Sequence, residues 1–382
     1  MSSSLFTPLT LRSITLRNRV VISPMWQYRG TQGFPSDWHL IHLARFADGG
    51  AGLVMQEATA VERRGAGTLH DLGIWTDEHG RRLARLAATI KEHGATAGIQ
   101  FGHSGRKART STPAEGRKAL TVGDVADPTD FAAWEPVAPS ALAAGPGAAP
   151  REMTTSDIGA VRRAFIEGAK RSLDAGYDVL EIHAGHGYLL HQFLSPATNH
   201  RTDLYGGDFD RRVRLLLEIV EGTRDVWPPD LPLFVRLSIE DWSGWSVEDS
   251  IVLTRLLVDR GVDVIDCSSG GVGGSPMDEG VALTYGYQVP YAERLRRETD
   301  ACTMAVGLIV DALHAERIIA NGEADLVAIG REALYHPSWA VDAARKLGHQ
   351  DPYYSLTADN AEYLAKRDAA MPTLRPSTYG PA

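Results

Sequence analysis

Two histidines three positions apart, His183 and His186, precede Tyr188 in the run Glu181-Ile182-His183-Ala184-Gly185-His186-Gly187-Tyr188. Paired imidazoles can donate two hydrogen bonds to one substrate oxygen, which polarises a carbonyl and stabilises the enolate-like charge growing on it. A phenol two residues on can deliver a proton to the same substrate. Any one of these could be a satisfied polar residue at a strand end; three polar rings in one short stretch favour chemistry. His191 adds another imidazole, so His183, His186 and His191 also make a rival metal site. No carboxylate lies between them, and the chain would have to turn all three inward.

A second group ends two apolar runs. Ala328-Ile329-Gly330-Arg331 closes with a glycine and an arginine, and Gly307 closes the run before it. Glycine lets backbone N–H groups approach a phosphate, and a guanidinium forks onto its oxygens. Without the matching glycine, a structural salt bridge would explain the pair equally well. Arg236 and Gln100 lie in two further runs; a cation and an amide facing a planar heterocycle suit a flavin, whose reduced form is negative near N1 and O2. Either could equally be paired with a structural carboxylate such as Glu240 or Glu57. Gly102-His103-Ser104-Gly105-Arg106-Lys107 is glycine-punctuated and basic, and by itself reads only as a loop.

These residues fall at the ends of β-rich runs that alternate with helical stretches, the pattern of a parallel sheet wound with helices. Eight strands are expected: 19–25, 52–61, 97–103, 179–185, 233–239, 262–270, 303–309 and 325–331. Helices are expected over 80–92, 156–175, 211–226, 247–260, 291–298 and 312–321. Thr155-Ser156-Asp157 offers a cap for the helix with Ile158, Val161, Phe165 and Ala169, and Gly176, Gly261 and Gly322 suit left-handed helix ends. The fold expected is a single α/β unit over residues 1–370, a (β/α)8 TIM barrel with its active site at the strand ends. Residues 110–150, rich in Ala, Pro and Gly, form a long excursion after the third strand, a lid or an interface. Residues 371–382, with three prolines, are expected to be extended or disordered.

Composition sets the class. With 43% hydrophobic and 23% charged residues, the chain has a globular protein's balance and not a disordered one's. A net charge of −9 argues against nucleic-acid binding, which needs a basic surface to replace counterions. No run approaches the roughly 18 apolar residues of a membrane span, so no membrane partner is expected. Cys267 and Cys302 lie in apolar runs and do not suggest a disulfide framework. With no basic and apolar leader over Met1–Ser13, a cytoplasmic location is expected.

Taken together the motifs resemble the old yellow enzyme family of FMN-dependent ene-reductases. The resemblance runs from Leu5-Phe6-Thr7-Pro8 and Leu16-Arg17-Asn18-Arg19 through Ser23-Pro24-Met25, Gly73-Ile74-Trp75-Thr76-Asp77-Glu78-His79 and His103-Ser104-Gly105-Arg106-Lys107. It continues in His183-Ala184-Gly185-His186-Gly187-Tyr188, Asn199-His200-Arg201-Thr202-Asp203, Asp266-Cys267-Ser268-Ser269-Gly270 and Ile329-Gly330-Arg331. The order and spacing are most similar to the bacterial subgroup related to xenobiotic reductases. The resemblance implies FMN held by Ser23, Pro24, Met25, Ala58, Gln100, Arg236, Gly307, Gly330 and Arg331. It implies a substrate carbonyl bound by His183 and His186, with Tyr28 nearby and Tyr188 as proton donor. NADPH or NADH, undecided between them, would reduce FMN and leave. An α,β-unsaturated carbonyl compound would then take a hydride at its β-carbon, in ping-pong order. Homodimers are implied too, with Tyr363 and Arg367 as candidates to reach a neighbouring subunit's site.

One position departs from the pattern. Where the subgroup carries a cysteine that touches the flavin, this chain has Trp26, so substrate range, the rate of flavin reduction, or both are expected to change. Two cysteines are too few for a four-thiolate cluster, so the larger iron-sulfur relatives are not expected. The alternatives are a desaturase running the same chemistry backwards, a metal-dependent barrel hydrolase, and a flavin-binding protein whose site Trp26 has closed.

Overall fold

The computed structural model describes residues 3–145, 148–273, 280–371 and 373. Apart from Met371 and Thr373, the expected tail over 371–382 lies outside the described residues.

A short antiparallel hairpin, β1 (Leu9–Leu11) and β2 (Ile14–Leu16), comes first. Eight parallel strands then close on one another: β3 (Val20–Ile22), β4 (Leu53–Ala60), β5 (Thr96–Gly102), β8 (Val179–Ala184), β9 (Leu233–Ser238), β10 (Val264–Ser268), β11 (Cys302–Val306) and β12 (Leu326–Ile329). Between β5 and β8, β6 (Val137–Ala138) pairs with β7 (Arg151–Glu152) outside the barrel. The eight barrel strands fall on the eight runs expected, each ending one to three residues sooner, while β5 and β11 also begin one residue earlier. The fold is a (β/α)8 barrel.

Inward and outward side chains alternate along each strand. In β8, Val179 joins a cluster with Val21, Leu53, Phe234, Val264 and Met304 inside the barrel, whereas Leu180, Ile182 and Ala184 pack outward against helices. Leu11 and Leu16 of the hairpin belong to the interior cluster, so the hairpin plugs the end where the strands begin. Burying a leucine or phenylalanine this way stabilises by roughly 1.5–3 kcal/mol. Above that apolar floor, the next inward positions are polar and buried: Gln100, Glu181, Arg236 and Asp266.

The outer layer comprises α1 (Asp37–Asp48), α2 (Asp77–Glu92), α4 (Thr155–Asp174), α6 (Phe209–Arg224), α7 (Val247–Val258), α8 (Val289–Thr299) and α9 (Ala312–Ala320). The expected cap on α4 shifts by one residue: Thr154 and Asp157 make a reciprocal capping box. Helix α1 is absent from the sequence expectation because two of the five residues on its buried stripe are His39 and His42. Residues 110–150 include the short α3 (Pro128–Ala133) and dock through Trp134, which is wholly buried. Its Nε1 donates to the Ala66 carbonyl at 2.7 Å, and the Arg63 guanidinium lies 4.3 Å from its ring centre. Short α5 (Leu189–Leu194) and α10 (Arg331–Tyr335) follow β8 and β12, and α11 (Trp339–Lys346) and α12 (Ala358–Ala370) end the described chain.

Candidate active site

Beyond His183, at the inward end of β8, the chain turns sharply, with His186 at φ 55° and Gly187 at φ 68°. A left-handed histidine costs roughly 1–2 kcal/mol, so the turn must be held. Ser238 Oγ accepts from the His186 N–H (2.8 Å), and the Gly187 N–H donates to His191 Nδ1 (2.8 Å). Lys107 Nζ donates to the carbonyls of His186 (2.8 Å) and Gly271 (2.6 Å), tying the turns after β8 and β10 together. A Cβ at position 187 would lie 2.0 Å from the Gly271 carbonyl oxygen, so the approach needs glycine.

The held turn brings His183 Nε2 within 3.2 Å of His186 Nδ1 and places the Tyr188 ring centre 5.2 Å from that of His183. The outer nitrogens are engaged. His183 Nδ1 accepts from the Gly185 N–H (3.3 Å), which leaves its ring proton on Nε2. His186 Nε2 lies 2.6 Å from Ser268 Oγ, nearer than the Gln288 Oε1 that the same hydroxyl reaches at 3.3 Å; with the hydroxyl turned to the ring, the ring proton is on Nδ1. In that arrangement each ring carries an N–H at this 3.2 Å approach. Burial, and after it the Arg236 cation, holds both imidazoles well below the ordinary histidine range, so they are neutral donors. Burial pushes the Tyr188 phenol up, which keeps it protonated. His191 stays apart, with Nε2 facing Asp241 Oδ2 at 3.7 Å, so the three histidines do not converge as a metal site would require.

Trp26 donates Nε1 to the Ala58 carbonyl at 3.0 Å. Its ring meets the Tyr188 edge at 5.1 Å and lies near-parallel to Tyr28 at 6.5 Å. Trp26, Tyr28, His186 and Tyr188 line a cleft of about 1170 Å³, partly walled by the excursion. Tyr363 is not in it: that side chain stands on α12, 73% exposed, and Arg367 is bound to Asp368 (2.8 Å).

On the other side of the mouth, Ser23 Oγ accepts from Arg236 Nη1 at 3.1 Å, with Pro24 and Met25 following. Arg236 Nε lies 3.3 Å from Asp266 Oδ2, and Gln100 donates to Glu181 Oε1 at 2.7 Å. The structural carboxylates beside Arg236 and Gln100 are thus Asp266 and Glu181, and not Glu240 or Glu57. Glu240 accepts from the Tyr291 phenol (2.8 Å), and Glu57 faces His39 Nε2 (3.1 Å). Gly307 sits at φ 112° after β11, and Gly330 opens α10, where a Cβ would meet nothing closer than Ser23 Cβ at 3.8 Å.

These residues fit a flavin nucleotide. Arg236, steadied by Asp266 and Ser23, places a buried cation at the site, the backbone at Gly330 is open to close approach, and the exposed Arg331 follows it. Several supporting residues escape sequence reasoning. Ser268 and Ser238 are visible as polar strand ends but not as ring and backbone partners of His186. Lys107 lies in a basic loop with no sign of its targets. Gln288, which accepts from Ser269 Oγ (2.6 Å) and donates to the Val306 carbonyl (3.1 Å), carries no motif at all.

Residues 4–350 match the model of the NADH:flavin oxidoreductase / NADH oxidase family. An NADPH dehydrogenase of Geobacillus sp. (strain WCH70) is 43% identical over 353 residues, covering 91% of this chain and 96% of that one. The NADPH dehydrogenase of Bacillus subtilis (strain 168) is 42% identical over 357 residues, covering 92% and 97%. Among solved structures, morphinone reductase superposes with a TM-score of 0.74 at 27% identity, covering 91% of this chain and 90% of that one. The match over residues 4–350, with identities of 43% and 42% across more than nine-tenths of the chain and a barrel whose strand ends carry the histidine pair, places the chain in the NADH:flavin oxidoreductase / NADH oxidase family, as an FMN oxidoreductase supplied by NAD(P)H.

Proposed function

We propose that this enzyme reduces the activated C=C bond of α,β-unsaturated carbonyl compounds. The observation that carries the reading is the pair of neutral imidazole nitrogens, 3.2 Å apart, with a protonated phenol beside them. FMN, when bound, relays a hydride between the nicotinamide and the alkene. Ser23, Pro24, Met25, Trp26, Ala58 and Gln100 would flank its ring, with Arg236 supplying positive charge. Gly307, Gly330 and Arg331 would hold its phosphate.

His183 Nε2–H and His186 Nδ1–H bind the substrate carbonyl oxygen, draw electron density from the β-carbon and stabilise the charge left on oxygen. Tyr188 keeps its proton until the α-carbon needs one. Trp26 and Tyr28 shape the cleft above this point, which the nicotinamide and the acceptor use in turn, in ping-pong order. The name of the Geobacillus and Bacillus relatives supports NADPH as reductant, and that of morphinone reductase supports the reductive direction. The reading includes a homodimer, for which the exposed Tyr363 on α12 is available, and a cytoplasmic location, which suits the free thiols of Cys267 and Cys302. Among the described residues, no helix is long and apolar enough to cross a membrane.

Stopped-flow spectroscopy of Tyr188→Phe tests the assignment. Flavin reduction by NADPH should keep its rate, because it needs no proton from the phenol, while reoxidation by an enone slows. Equal loss in both half-reactions would refute the proton-donor role.

A further inference from the structure

Among the described residues, the cleft's cations outrun its acids. Arg106, Lys107, Arg109 and Arg117 all line it, and among the described residues none has a carboxylate oxygen within 4.0 Å. The acids on the same walls are already engaged. Asp71 accepts from the Gly67 and Thr68 N–H groups and the Thr68 hydroxyl, and Glu135 is paired with Arg151 at 2.8 Å. Two of the four cations are spent on main chain: Lys107 on the carbonyls of His186 and Gly271, and Arg109 on those of Trp134 (2.9 Å) and Phe131 (2.8 Å). Arg106 gives one N–H to the Val272 carbonyl at 3.0 Å, while its buried Nε has no partner. Arg117 is exposed, held at φ 53°, and lies beside the Tyr28 phenol. Collecting like charges at one mouth costs free energy unless an anion offsets it, and the chain as a whole carries a net charge of −9.

We propose that Arg106 and Arg117 form an anion subsite in the cleft wall, which takes an oxyanion carried by the molecule whose reacting end lies at His183, His186 and Tyr188. The proposal rests on the reading above, that NAD(P)H and a carbonyl acceptor use this cleft in turn. The oxyanion has two possible sources: the pyrophosphate of the dinucleotide, or a carboxylate on the acceptor. Guanidinium forks match both.

The test uses the FMN-loaded enzyme with Arg106→Gln, Arg117→Gln, the double variant and Arg117→Lys as a charge-keeping control. Anaerobic flavin bleaching is followed with NADPH, NADH and the uncharged 1-benzyl-1,4-dihydronicotinamide; recolouring is followed with cyclohexenone and with an enone bearing a carboxylate. The ratio of apparent Kd for a charged partner to that for its uncharged counterpart should rise about tenfold per guanidinium lost, and less in Arg117→Lys. Added salt should weaken wild-type binding more steeply than that of the double variant. A change in the nicotinamide arm assigns the subsite to pyrophosphate, and one in the acceptor arm assigns it to carboxylate. Equal responses of charged and uncharged partners, or no response, would overturn the subsite. If no reductant bleached the wild-type flavin, the redox reading would fall instead. Calorimetric titration with inorganic pyrophosphate would still decide the subsite, since binding should occur in the wild type and be lost in the double variant.

Discussion

Hydrogen bonds to a growing negative charge are worth most when the donors are fixed before the reaction begins. Gly185, Ser238 and Ser268 fix the two histidines here, through one ring nitrogen each and the backbone of the turn. His183→Ala or His186→Ala should therefore leave FMN bound and lower enone turnover by roughly 10² to 10³, measured as the rate of flavin reoxidation. Undiminished turnover would remove the pair from the chemical step. Trp26 sets a second prediction. Its indole is fastened to the Ala58 carbonyl and abuts Tyr188, so Trp26→Cys frees that carbonyl and opens the space beside Tyr188. The flavin midpoint potential and the range of enones accepted should both change, and an unchanged pair would contradict the role given to Trp26. The three candidate rings are legible in sequence because they are neighbours in one short motif. Their supports Ser238, Ser268 and Lys107 are not, because other strands and loops deliver them from more than fifty residues away.

Elements position these residues through tight geometry at strand ends and a charged layer inside the barrel. Gly187→Ala would drive a Cβ into the Gly271 carbonyl, so the turn carrying His186 must open; near-ultraviolet circular dichroism and enone turnover should both fall with it. The interior layer makes a pH prediction. Burial, and after it the Asp266 charge, pushes the Glu181 carboxyl above its ordinary value of 4.5, with Arg236 opposing. The folded protein then keeps a proton that the unfolded chain has released, so this group's contribution to stability falls as pH rises from 4.5 through its raised pKa. Glu181→Gln cannot ionise. Its stability relative to wild type should increase from mildly acidic to mildly alkaline pH in denaturant titrations, and a constant difference would contradict a raised carboxyl. The barrel strands are legible as short β-rich runs ending in polar residues. Helix α1 is hidden by the histidines of its buried stripe, and the hairpin plug by strands too short to show a period.

At the scale of the whole molecule, an acidic protein presents a cationic entrance to a neutral hydrogen-bonding site. The net charge visible in the sequence says nothing of that entrance, because the cations of one loop are diluted by acids spread over the rest of the surface. The barrel brings residues 23 to 331 to one mouth, and closure of the sheet is the step that a linear reading must infer from the count of strands. The most direct test of the account is a visible absorption spectrum of the purified protein under anaerobic conditions, first with NADPH and then with cyclohexenone in the same cuvette. The account predicts a yellow protein that bleaches with the nicotinamide and recolours with the enone. A colourless protein that takes up no added FMN, or a yellow one that bleaches and never recolours with any enone, would contradict it.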